Sequence, residues 1–384
     1  MTRLGEVAAA FGRLGLTAFG GPIAHLGYFR DEFVTRRKWV TDEQFAEMIA
    51  LAQATPGPAS SKVGMQLGFA HAGLLGALVA WVGFTLPSAI AMTAFAFGAA
   101  YVDPNAAWIQ GLLLAADAVV ATALLGMVRT LTPDPPRLAF AIVVMAILIS
   151  IPMTGLVQLG AIIAGAVFGR WLTPREAGEP PAATPPLSAW PFVAAALFVV
   201  LLVISFVTPP ATVLGEFTRF YAAGALVFGG GHVVLPLLQG RFVEPGLVSQ
   251  TTFMAGYAVA QTIPGPLFTF AAFLGALVPP VRGIAGATLG LVAIFLPSAL
   301  LLAAVVPVWQ RLRGNLAFRR ALVGVNAAVV GILGAAFYQP ILLSSVRDAH
   351  DLTIALVAFA ALYALKLPPF VVVAGCALVR GLVP

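Results

Sequence analysis

Two short runs in this chain, Pro56-Gly57-Pro58 and Pro264-Gly265-Pro266, cannot continue a regular helix. Proline lacks an amide hydrogen and clashes with the preceding turn, while glycine admits dihedrals that other residues avoid. Each run predicts two half-helices, the second beginning near its last proline, a residue favoured at the first helical position. A helix start presents unpaired amide hydrogens and about half a positive charge, which suits a small inorganic anion. The flanking residues fit that chemistry. Gln53 and Thr55 precede the first run, and Ser60, Ser61 and Lys62 follow it with hydroxyl donors and a full charge. Gln261 precedes the second run and Thr269 follows it. Related by a pseudo-two-fold axis, Gly57 and Gly265 would bring two helix starts onto one tetrahedral anion. The plainer reading is a pair of packing kinks.

Other residues join the candidate set on weaker grounds. Gly20-Gly21 and Gly229-Gly230 thin the first helix of each half, for backbone approach to an ion or for close helix crossing. His25 and His232 follow these glycines and could titrate near neutral pH, or be satisfied interfacial residues. Asp117 stands inside an otherwise apolar run, where an ionised carboxylate is expensive without a partner or an aqueous cavity. Lys62 is its expected partner, with neutralisation or a coupling proton as its role and Asn326 as its uncharged counterpart; a structural hydrogen bond is the alternative. No HExxH, paired intramembrane carboxylates or phosphate-binding Gly-Lys loop occurs, so an intramembrane enzyme is the least supported class. No metal site or cofactor is expected.

These residues must be positioned by membrane helices. Of 384 residues, 60% are hydrophobic and 9% charged, whereas soluble domains are about 25% charged. Apolar runs cover 4–27, 43–71, 73–100, 107–131, 138–151 and 155–171, then 190–207, then 217–238, 250–278, 283–307, 317–340, 352–366 and 368–383. The four runs around Pro152 and Pro368 are short, either tilted spans or partial hairpins. A Pro-rich polar stretch, 173–188, cannot sit in hydrocarbon and reads as a linker. The net charge of +6 marks cytoplasmic loops rather than a nucleic-acid partner.

The two halves repeat. Phe19-Gly20-Gly21 corresponds to Phe228-Gly229-Gly230, Gln53 with Pro56-Gly57-Pro58 to Gln261 with Pro264-Gly265-Pro266, Leu86-Pro87-Ser88-Ala89 to Leu296-Pro297-Ser298-Ala299, and Asp117 to Asn326. Duplicated halves are typical of secondary transporters, with substrate held at the midplane. If each half crosses six times, the run 190–207 makes the second half enter inverted. The loop near 102–107 lacks Lys and Arg, while its counterpart holds Arg311, Arg313, Arg319 and Arg320, as opposite sides would require. With the N-terminus inside, the basic loop 30–38 would then face outward, whereas treating 43–71 and 250–278 as re-entrant hairpins puts it on the same side as Arg129, Arg137, Arg170 and Arg175; inversion is the preferred reading.

Phe19 to Gly27, Glu32-Phe33-Val34, Arg36-Arg37-Lys38-Trp39 and Pro56 to Ser61 resemble the first half of the CHR family of chromate transporters. Phe228 to His232 with Pro236, Gln261 with Pro264-Gly265-Pro266, and Phe295-Leu296-Pro297 are similar to its second half. The resemblance runs from about Leu4 to Val383 and implies the long-chain, two-domain form, linked to chromate efflux and resistance. The chain departs from the family pattern at Lys62, where a neutral polar residue is expected, and at Ile263, opposite Thr55.

The expected fold is an all-α polytopic membrane protein of two homologous six-segment halves as inverted repeats, with broken or re-entrant helices at the Pro-Gly-Pro motifs. The expected division is 1–172, a linker at 173–189, an extra span at 190–210, and 211–384. The expected function is a carrier exporting chromate or a related oxyanion across a bacterial inner membrane; a sulfate uptake carrier or passive anion channel are the alternatives. Expected partners are the oxyanion, a proton or counter-anion and the lipid bilayer, with a homodimer admitted.

Overall fold

The computed structural model describes residues 2–19, 21–99, 106–151, 155–172, 189–209, 211–228, 233–309, 312 and 315–382. Gly20, Gly229, Gly230, His232, Arg311, Arg313 and the linker 173–188 lie outside the described residues. Among those described there are helices and no strands.

The first half opens with two helical hairpins rather than two spans. Helix α1 (Arg3–Thr17) ends before the glycine pair, and α2 (Gly21–Phe29), extended by a π-helical turn over Arg30–Arg36, returns alongside it. His25 Nε2 lies 3.2 Å from Ala18 O, Phe11 stacks on Phe33 at 4.8 Å, and Arg13 pairs with Glu32 at 2.5 Å. Such contacts are antiparallel, so run 4–27 does not cross as the sequence suggested. The second hairpin is α3 (Asp42–Ala54) and the first arm of α4 (Ala59–Ala99). A Thr41–Gln44 capping box starts α3, satisfying amides that would otherwise lack acceptors. Gln66 Nε2 donates to Met48 O at 3.2 Å and Lys62 Nζ to Ala52 O at 2.6 Å. Run 43–71 therefore re-enters, and the basic loop 30–38 stands on the same face as the start of α1.

Non-helical dihedrals at Ala72 and Gly73 then reverse α4, so that 74–99 forms the first full crossing. Helices α5 (Ala107–Leu131), α6 (Pro135–Ser150) and α7 (Gly155–Leu172) follow, then α8 (Trp190–Val207). The second half repeats this order in α9 (Val213–Ala225), α10 (Val234–Phe242), α11 (Gln250–Thr262), α12 (Phe270–Leu277), α13 (Gly283–Val305), α14 (Leu316–Ala336), α15 (Ala349–Tyr363) and α16 (Pro369–Leu382). Phe220 packs on Phe242 at 4.6 Å, as Phe11 does on Phe33. Run 217–238 is thus a hairpin too, and 250–278 folds back so that Phe273 reaches Gly256.

The halves exchange their last two helices. Helices α6 and α7 pack on α14 of the second half, while α15 and α16 pack on α5 of the first. Small residues permit these close crossings: Gly165 meets Gly324, and Gly111 meets the backbone of Cys376. Gly331 touches Ala141 and Gln339 bonds Ile149 at 2.9 Å, so α6 runs parallel to α14. Gln110 contacts Asp351, and Arg129 lies 5.2 Å over Tyr363, so α15 runs parallel to α5 in the same way. Both relations hold only if the halves are inverted, with α8 as the odd crossing between them. Among the described residues five helices are long and apolar enough to cross a membrane, and one of them is α8. Side chains such as Leu74, Leu78, Leu86 and Ile90 on α4 and Phe192, Val199 and Val203 on α8 are exposed, giving an apolar belt suited to lipid.

Candidate functional site

Each Pro-Gly-Pro tip docks into the other half. Gly57 N–H donates to Val227 O at 2.7 Å, and Gly265 N–H donates to Ala18 O at 3.0 Å. Val227 and Ala18 are the residues just before the two Phe-Gly-Gly breaks. Both glycines hold positive φ, 105° and 107°. A Cβ at Gly57 would collide with Ser298 Oγ, and one at Gly265 would lie 2.7 Å from Ser88 Oγ. Only glycine fits both the dihedral and the space. The interruptions in four hairpins therefore converge, two from each half, deep within the fold.

The chemistry at this junction differs in the two halves. In the first, Lys62 N–H donates to Pro58 O at 3.0 Å, the first bond of α4. The amides of Ala59, Ser60 and Ser61 precede it and have no intrahelical acceptor. Ser60 and Ser61 are buried, and Ser61 Oγ has no partner. In the second half no α-helix starts directly at the motif. A 3-10 turn over Leu267–Thr269 intervenes, and Thr269 Oγ1 donates to Pro266 O at 2.9 Å. That turn runs straight into α12, so a helix begins past the second motif too, with Thr269 in its first turn and the Thr269 hydroxyl hydrogen held by Pro266 O.

Lys62 is also reassigned. It is fully buried, and its ammonium donates to Ala52 O at 2.6 Å, Thr55 O at 2.5 Å, Thr55 Oγ1 at 2.9 Å and Pro56 O at 3.1 Å. These oxygens end α3, where a positive charge complements the helix dipole. Lys62 is a clamp on the hairpin tip, and Thr55 belongs to that clamp, its hydroxyl hydrogen going to Leu51 O at 2.9 Å. The expected pairing with Asp117 is not formed. Asp117 is buried on α5, accepts from Ser345 Oγ, and leaves its other oxygen unpartnered. Ser345 is tied through its carbonyl to Gln110, which also reaches Asp351 at 3.2 Å; Arg380 pairs with Asp351 at 3.0 Å. Asn326 Oδ1 is buried without a partner in the corresponding part of α14.

The remaining candidates fall as follows. His25 is buried, and its Nε2 shares Ala18 O with Gly265, so it belongs to the junction. Gly21 opens α2 at a φ of 75°. Gln53 is exposed at the end of α3, while Gln261 is half-buried and bonded to Tyr257. Thr85, Ser88 and Ser298 were not picked out as site residues from sequence. Ser88 and Ser298 face the two tips, Ser88 Oγ donating to Thr85 O at 3.0 Å, while Thr85 Oγ1 and Ser298 Oγ are buried without partners. The signal that could have found them is the repeated Leu-Pro-Ser, Leu86 to Ser88 and Leu296 to Ser298.

Two inverted halves with reciprocally docked breaks agree with what comparison finds. The chain matches the chromate transporter family twice, over residues 5–170 and 214–380. It belongs to that family. A chromate transport protein of Cupriavidus metallidurans is 30% identical over 393 residues, covering 99% of this chain and 93% of that one. A probable chromate transport protein of Synechococcus elongatus is 27% identical, covering 94% and 89%. A chromate transport protein of Pseudomonas aeruginosa is 29% identical, covering 86% and 79%. No solved structure matches the chain. Family and apolar helices together make this a multi-pass membrane transporter.

Proposed function

We propose that this family member is a secondary carrier that exports chromate or a related tetrahedral oxyanion across the bacterial inner membrane. The anion sits between the repeats, against the amide-rich start of α4, with Ser60, Ser61, His25, Ser88 and Ser298 around it. The observation that carries this reading is the reciprocal docking of Gly57 and Gly265, with Ser61, Thr85 and Ser298 hydroxyls left buried and unpartnered beside it. Buried donors without acceptors are rare and call for an occupant.

Orientation follows from charge. Arg3, Arg13, Arg30, Arg36, Arg37, Lys38, Arg129, Arg137, Arg170, Arg319, Arg320 and Lys366 stand toward the face where α1 begins; Arg219, Arg241, Arg282, Arg347 and Arg380 stand toward the other. The positive-inside rule makes the first face cytoplasmic. Helix α3 starts at that face and leaves Glu43, Ala46, Glu47, Ala50 and Gln53 exposed along its length. A polar and small-residue face suits water rather than lipid, and supports loading from the cytoplasm.

Uptake of labelled chromate and sulfate into proteoliposomes tests this. Saturable flux that responds to an imposed proton or counter-anion gradient is expected, and Ser60→Ala with Ser61→Ala should weaken apparent affinity by roughly tenfold or more. Non-saturating flux would instead identify a channel, net sulfate uptake a reversed direction, and unchanged affinity in the double variant would remove the anion from the start of α4.

A further inference from the structure

The second hairpin pair carries a charge pattern that the first does not. Phe33 and Phe242 occupy equivalent places, each against its partner on the preceding helix, so Glu32 and Arg241, the residues just before them, are counterparts. Glu32 is buried and accepts from Arg13 at 2.5 Å, Arg36 at 2.7 Å and Arg37 at 2.6 Å. Burial pushes its carboxyl up, but the arginine hydrogen bonds and charges outweigh that and hold it at about 2. In the second half the acid is replaced by Arg241, and Arg219 joins it from α9.

Among the described residues Arg241 has no acidic partner, and Arg219 feels Glu216, three residues before it, through charge alone. Arg241 Nε and Nη2 and Arg219 Nη1 are buried with no hydrogen-bond partner, and no carboxylate among the described residues forms an ion pair with either side chain. Helix α9, which carries Arg219, packs against α10, which carries Arg241. Phe206 of α8 lies 5.6 Å from Arg241. The nearest acid, Glu216, accepts from Val281 N–H at 3.1 Å through one oxygen and leaves the other unpartnered. Leaving cationic donors buried and unpaired is among the most costly arrangements in a folded chain. Two guanidinium forks, with three idle nitrogens between them, match the edges of a tetrahedral oxyanion.

We propose that Arg219 and Arg241 form a second oxyanion site, near the face opposite the start of α1 and separate from the junction of the tips. Its occupant is either a free oxyanion of the transported class or the phosphate of a lipid headgroup reached past Phe206. Both present the same tetrahedral edge.

Equilibrium dialysis of labelled sulfate and chromate against the purified protein, in nanodiscs of a zwitterionic lipid, distinguishes these sources when paired with native mass spectrometry of co-purified phospholipid. The wild type is expected to show an oxyanion-binding component that Arg241→Glu weakens by about tenfold or more. That substitution places an acid beside Arg219, as Glu32 stands beside its own arginines, so the fold should survive. Arg219→Lys with Arg241→Lys keeps the charge but loses the forks and should weaken the same component. The Ser60→Ala, Ser61→Ala variant should leave it intact, so a failure at the central seat is read separately. If Arg241→Glu instead releases a retained phospholipid, the site stands with the headgroup as occupant. Wild-type levels of both bound oxyanion and bound lipid in Arg241→Glu would overturn the proposal, as would a wild type that retains neither.

Discussion

Lys62 shows how one buried charge can be structural in a chain that handles anions. Its ammonium has hydrogen-bond donors for three partners, and four oxygens at the end of α3 and in the following turn surround it. A charge spent on carbonyls organises the hairpin tip and contributes only its longer-range field to an anion beside α4. Lys62→Met should therefore orphan these acceptors, at about 1–3 kcal/mol each, and lower the thermal stability of the purified protein. Apparent affinity for the oxyanion, measured on the protein that remains folded, should stay within about threefold of wild type. A loss of affinity with stability unchanged would return Lys62 to the anion's own shell.

Among the elements, the exchanged pairs α6–α7 and α15–α16 matter most. They place Asp117 of the first half against Ser345 of the second, so its only described hydrogen bond spans the repeats. The charged neighbours, Asp351 on α15 and Arg380 on α16, are paired with each other, and Gln110 joins them to Ser345. Asp117 thus has no cationic partner among the described residues, and an ionised carboxylate at this depth is expensive without one. We expect Asp117 to carry a coupling proton. In proteoliposomes, Asp117→Asn should transport without response to an imposed pH gradient, and Ser345→Ala should shift the pH profile while keeping the response. Wild-type coupling in Asp117→Asn would leave this carboxyl a structural role only.

At the scale of the whole molecule the repeats are alike in order but not in closure. Helix α11 buries Phe253 through Ala258 against α4, α5 and α16, whereas its counterpart α3 buries only Phe45, Leu51 and Ala52 and rests mainly on α4 and the π-helical turn. The hairpin of α3 is thus less covered than that of α11, and inverted repeats that exchange conformations during a cycle would exchange this difference. With Cys376 replaced, single cysteines at Ala50 and Gln53 should react with an impermeant maleimide from the cytoplasmic face, and one at Met254 should not. Saturating oxyanion with a reversed gradient should raise labelling at Met254 from the opposite face and lower it at Gln53. Fixed labelling under every condition would count against alternation between these two hairpins.

The membrane solvent, the duplication and the breaks are legible in the residues alone, because composition, matched punctuation and proline stereochemistry act locally. The sequence also suggested inversion, since α8 and the loop charges are countable. It did not distinguish crossing from folding back for 4–27 and 43–71, because an apolar run has the same length and hydropathy either way; the contacts of Phe11 with Phe33 and of Met48 with Gln66 decide that. Nor did it separate Lys62 from Asp117, both intramembrane charges whose partners are set by which helices meet. Only the tertiary structure, by swapping the last helix pairs and docking each glycine tip in the opposite half, determined which buried groups share a site.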